Sequence, residues 1–97
     1  MELKDKQLGL MRYRVMAARA KGALDAGNSA LAAEYSSCAN LFRSEILDAI
    51  GGLEDECVRD VLVSRYVYGM KWDAIAERMH FSKRWVLKLH QKGLMQL

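Results

Sequence analysis

Residues 70–94, MKWDAIAERMHFSKRWVLKLHQKGL, hold two short helical patterns separated by three residues, and their reading sets the architecture of the chain. Trp72, Ile75, Ala76 and Met79 mark one face of a short helix, with Asp73 near its positive end. His80-Phe81-Ser82 forms the connection, Ser82 is the expected N-cap, and a second helix runs from Lys83 to about Leu94. Two short helices joined by such a turn make a helix-turn-helix, whose second helix has the shape that enters a DNA major groove. Turned at about 100° per residue, that helix gathers Val86, Leu89, His90, Gly93 and Leu97 into one arc. Arg84, Leu87, Lys88 and Gln91 fall on the opposite arc, with Lys83 and Lys92 on the flanks. The outward face is therefore basic, free of acids and begins at a helix N-terminus. DNA calls for this arrangement, with Lys, Arg and backbone amides for phosphates and Arg or Gln tips for base edges. A basic stripe alone is commonly a solvated surface; the adjoining short helix, tight turn and cap favour the DNA reading.

Upstream, residues 54–68 predict a third helix with Val58, Val61, Leu62 and Arg65/Tyr66 inward and Gly69 as its stop. Glu54, Asp55 and Glu56 are placed in its first turn, where they complement the helix dipole or form a contact surface for a basic partner. Ser29 to Ile50 is the cleanest periodic segment, its stripe Leu31, Tyr35, Cys38, Phe42, Ile46, Ala49 and Leu53 repeating in steps of three and four. Gly51-Gly52 ends it, and Cys38 on that stripe reads as a small buried hydrophobe. Residues 3–24 predict the first helix, with Leu3, Leu8, Met11, Val15, Ala18 and Leu24 near three-to-four spacing. Leu10, Tyr13, Met16, Ala17 and Ala20 make it apolar nearly all round, so it is either sandwiched between neighbours or paired with a second copy. Gly27 and then Asn28 or Ser29 punctuate the break between the two long helices. The expectation is an all-α, five-helix single domain. Residues 1–50 form an N-terminal helical hairpin for packing and oligomerisation, and residues 51–97 the helix-turn-helix part of the same compact unit.

Composition agrees. The 97 residues include no proline, and 52% apolar against 28% charged residues excludes a disordered charged tail. The formal charge of +3 hides its distribution. Residues 1–24 carry six bases against two acids, 25–60 eight acids against two bases, and 61–97 seven bases against two acids. A basic end can meet a polyanion while the acidic middle does something else, or antiparallel helices simply alternate charge. The charged start Met1-Glu2-Leu3-Lys4-Asp5-Lys6 does not read as a signal peptide, no apolar run predicts a membrane span, and two cysteines without ligand spacing fit a reducing cytoplasm.

Beyond these patterns, the run Arg65-Tyr66, Gly69, Trp72, Ile75-Ala76, Ser82, Val86 and Leu94 resembles region four of bacterial sigma factors. It is closer still to small phage and prophage proteins built on that module, including late transcription regulators of the ArpU/RinA type. The resemblance covers about residues 46–97. It implies sequence-specific binding of promoter-like double-stranded DNA through the second helix, sometimes with contact to RNA polymerase, in a bacterial cytoplasm. Carried onto this chain, it makes Lys83, Arg84, Leu87 and Lys88 the base-reading positions. Ser82 is then a cap that touches phosphate, and Lys71, Trp72 and Lys92 grip the backbone. Three positions depart from the pattern. Lys71 replaces a Ser or Thr cap, His80 stands where Gly or Asn usually takes a left-handed turn, and Leu87 replaces a residue that is often polar.

Other residues carry less. His90 on the core arc and His80 in the turn read as structural histidines, and Trp72 as core, with an indole edge toward DNA as the alternative. Trp85 reads as partly buried, with a partner contact as the alternative. No phosphate loop, nucleophile elbow or carboxylate pair marks an enzyme, and no cofactor or metal is expected. Three functions remain open: a DNA-binding transcription regulator, a sigma-like interaction module for RNA polymerase or another regulator, and the DNA-recognition subunit of a phage packaging machine. A homodimer through residues 3–24 and part of 29–50 is expected, because one helix-turn-helix seldom gains enough affinity from one half-site.

Overall fold

The computed structural model describes residues 2–97. It is all-helical: α1 (Leu3–Asp25), α2 (Ser29–Gly51), α3 (Glu56–Tyr66), α4 (Trp72–Met79) and α5 (Lys83–Gln96), with no strand among the described residues. The two long helices form an antiparallel hairpin, each about 35 Å long, and α3–α5 pack across its open end. One core joins the two parts: Leu10 of α1 and Ile46 and Ile50 of α2 meet Val58, Val61 and Leu62 of α3, Ile75 of α4 and Val86 and Leu89 of α5. Val58, Val61, Leu62, Ile75 and Val86 are completely buried, each contributing about 1.5–3 kcal/mol of hydrophobic stabilisation.

The helix boundaries follow local chemistry. Gly27, at φ 79°, closes α1, with the Gly27 amide donating to the Leu24 carbonyl at 3.0 Å and that of Asn28 to Ala23 at 2.9 Å. The Asn28 side chain then caps α2 by accepting from the Leu31 amide at 3.1 Å. The expected start of α3 moves by two residues. Glu54 lies outside the helix and Asp55 is its N-cap, accepting from the amides of Cys57 and Val58 at 2.9 and 3.2 Å. Those bonds, that to Val58 foremost, hold the Asp55 carboxyl below its usual range against an opposing effect of burial. At its other end α3 stops at Tyr66, two residues short of the expected Tyr68, and Gly69 turns the chain at φ 67°.

Two expectations about the long helices are corrected. On α1 the line Leu8, Met11, Val15 and Leu24 is exposed (54, 42, 41 and 62%), whereas Leu10 and Ala23 are buried and Leu3, Tyr13, Ala17 and Ala20 are half-buried. Because α1 is apolar around most of its circumference, periodicity does not choose its packed side. The packed side is the one that carries Leu10, Tyr13, Ala17, Ala20 and Ala23. On α2 the inward face is Ala32, Tyr35, Ala39, Phe42, Ile46 and Ile50. This face is rotated from the expected stripe so that Leu31 and Cys38 point outward; Cys38 is exposed rather than a buried hydrophobe. Buried Ala32 and Ala39 stand with Tyr35, Phe42, Ile46 and Ile50 on the packed side.

Candidate nucleic-acid interface

The turn that presents α5 is built from backbone hydrogen bonds. His80 adopts the left-handed conformation (φ 58°, ψ 36°), its amide donating to the Glu77 carbonyl at 3.3 Å and that of Phe81 to Ala76 at 3.0 Å. This pair of bonds closes a helix C-terminus, with the side chain of Phe81 packed back on the core. Ser82 follows in extended backbone, and its Oγ accepts from the Trp85 amide at 3.1 Å to start α5. Lys71 stands at the N-cap of α4 without a side-chain capping bond, as its departure from a Ser or Thr implies.

Packing then sets the rotation of α5. Val86, Leu89, His90, Gly93 and Leu94 are buried, and Gly93 lies so close to α3 that a Cβ there would meet Leu62 Cδ1 and Val58 Cγ1 at 2.8 Å. His90 is buried with its Nε2 2.5 Å from the Tyr66 hydroxyl, which fits the phenol donating to an unprotonated ring nitrogen. Burial chiefly, and the charge of Arg65 next, push His90 down to about 4, so it is neutral at pH 7. The Trp72 ring meets His90 edge-on at 4.7 Å, while the Arg65 guanidinium lies 4.5 Å from the centre of the same indole.

With α5 held in this way, Arg84, Leu87, Lys88 and Gln91 all face solvent, and Met95 (65% exposed) extends the same face by one turn. Met95 stands at Gln91 plus four and is not among the residues that the sequence marks for this face. Trp85 is more open than expected, at 47%. The remaining candidates divide. Lys83 Nζ lies 3.5 Å from Asp73 Oδ1, an exposed pair that a phosphate can displace at little cost, since such pairs contribute about 0–1 kcal/mol. Lys92 Nζ lies 3.6 Å from Asp55 Oδ2 and ties α5 to the start of α3 rather than joining the Arg84–Gln91 face. Trp72 is half-buried between His90 and Arg65 and serves the core first. Arg78 is structural as well, its Nη2 donating to Asp60 Oδ1 at 2.7 Å and to buried Ser64 Oγ at 2.5 Å. Lys71, Arg84 and Lys88 have no carboxylate at ion-pair distance among the described residues.

No family model, curated protein or solved structure matches this chain. Among the described residues no helix is long and apolar enough to cross a membrane, and no group of three or more His, Cys, Asp or Glu side chains converges as a metal site would require.

Proposed function

We propose that this chain is a sequence-specific DNA-binding transcription regulator of phage or prophage type that inserts α5 into the major groove of double-stranded DNA. The observation that carries this reading is the solvent face of α5, on which Arg84, Leu87, Lys88 and Gln91 lie together without an acid on a helix fixed by a tight turn and a buried inner face. Arg84 has the planar donor pair that recognises guanine, Gln91 the amide that recognises adenine, and Leu87 the apolar surface that meets a thymine methyl. Ser82, Lys83 and Lys88 at and near the N-terminus of α5, with Lys71 ahead of α4, suit phosphate oxygens. The resemblance to sigma region four supports the same reading. A sigma-like module that docks on RNA polymerase is less favoured, because Asp55 of the acidic segment is committed to capping α3 and to Lys92.

A homodimer through the hairpin belongs to this reading. Leu8, Met11 and Val15 on α1 and Leu31 and Leu41 on α2 are exposed apolar side chains that a second copy would cover. Arg12, Arg19 and Lys21 repel another α1, whereas Glu34, Glu45 and Asp48 attract it, so α1 of one protomer pairs with α2 of its partner.

Selection of bound duplexes from random DNA tests the function. One enriched sequence is expected, and Arg84→Ala should cost about 1–3 kcal/mol and relax the preference at one base pair. A pool that emerges without enrichment contradicts the proposal.

A further inference from the structure

The basic residues of α1 play no part in the α5 face, yet one of them is held in a defined place. The Arg14 guanidinium lies across the turn between α3 and α4, in the space that a side chain at Gly69 would fill. Gly69 leaves that space open and, at φ 67°, supplies the turn. Arg65 reaches the same place from α3, its Nη1 donating to the Met70 carbonyl at 3.0 Å and its guanidinium stacked on Trp72. With Gln7, Met11 and Tyr66, the two arginines and Gly69 line a notch of about 240 Å³. No carboxylate lines it, and Arg14, Arg65 and nearby Lys71 have no acidic partner among the described residues.

Two permanent positive charges line one notch that no carboxylate balances, so an anion there is attracted by both. Guanidinium is permanently charged and planar, with paired donors that match the oxygens of a phosphate. In helix-turn-helix complexes the first helix of the motif crosses the DNA backbone. The notch adjoins the entry to α4, which is that first helix.

We infer that Arg14 and Arg65 form a phosphate-binding notch, and that its ligand is a backbone phosphate of the DNA read by α5. The choice of DNA rests on the function proposed above, whereas the phosphate chemistry stands without it. The notch thereby makes α1 part of the DNA interface and gives a role to one of the bases of the N-terminal segment.

Arg14→Gln in the full chain tests the inference, since Arg14 is exposed and its loss leaves the core intact. DNA affinity is expected to fall about tenfold, equally for target and unrelated duplexes, and the slope of log affinity against log salt to become shallower by about 0.9. A second measurement reads the notch directly. In a Trp85→Phe background Trp72 is the sole tryptophan, and inorganic phosphate at constant ionic strength should change its fluorescence, an effect that adding Arg14→Gln abolishes. If phosphate perturbs Trp72 while Arg14→Gln leaves the DNA slope unchanged, or while the chain binds no DNA, the notch stands but its source is a free phosphate compound, which overturns the backbone assignment. A silent Trp72 together with an unchanged DNA slope overturns the notch itself.

Discussion

His90 shows how one residue links the core to the recognition helix. Its ring sits at the junction of α3, α4 and α5, against the Tyr66 hydroxyl and the edge of Trp72. The folded state keeps it neutral down to about pH 4, whereas an unfolded histidine takes up its proton near pH 6.5. Between those values the unfolded chain binds more protons, so stability falls as pH is lowered through that window and the contribution is complete above it. The total is about 3 kcal/mol. Denaturant midpoints measured from pH 7 to pH 4 should therefore drop steeply for the wild-type chain and less for His90→Phe; equal slopes would show that His90 is not the group responsible. That His90 is structural was legible from its place on the core arc. Its partner was not, because a tyrosine on α3 comes beside it only when the three helices close.

At the scale of elements, the turn between α4 and α5 was the most legible part of the chain, since Ser82 and the apolar spacing each mark a boundary. Its one costly feature is His80, the non-glycine residue with positive φ among those described. A left-handed side chain costs about 1–2 kcal/mol, partly offset in a glycine variant by about 0.5–1 kcal/mol of extra chain entropy. His80→Gly is expected to raise the melting temperature by a few degrees without changing DNA affinity, and a lowered melting temperature would contradict the backbone assignment. The long helices were legible in extent but not in rotation. On α1, Leu8, Met11 and Val15 compete with Leu10, Tyr13 and Ala17 for the inside. The side with Leu10, Tyr13 and Ala17 is packed, a choice made by tertiary contacts with α2 and α3 that periodicity does not contain. The notch at Gly69 was illegible for a related reason: Arg14 and Arg65 are remote in sequence and meet only through the packing of α1 on α3.

For the whole molecule, the basic–acidic–basic layout acquires separate explanations. Arg78 and Lys92 are tied to Asp60 and Asp55, and so part of the C-terminal charge knits α4 and α5 to α3. Arg84, Lys88 and Lys71, with Lys83 once its exposed pair with Asp73 is displaced, are left for an anionic partner, and the acids of α2 for the basic helix of a second copy. Sedimentation at tens of micromolar should show a dimer that Arg12→Glu/Arg19→Glu splits, as does Glu34→Arg/Glu45→Arg, and that reappears when the two variants are mixed. A wild-type monomer at that concentration would refute the dimer without touching the reading of α5. Salt titration of binding to the selected duplex tests that reading most directly. Insertion of α5 among phosphates requires a linear fall of log affinity with log salt, at about 0.9 per phosphate neutralised, with Arg84→Ala weakening the selected duplex far more than an unrelated one. Binding that does not move with salt, or an Arg84→Ala variant that discriminates as well as the wild type, would contradict it.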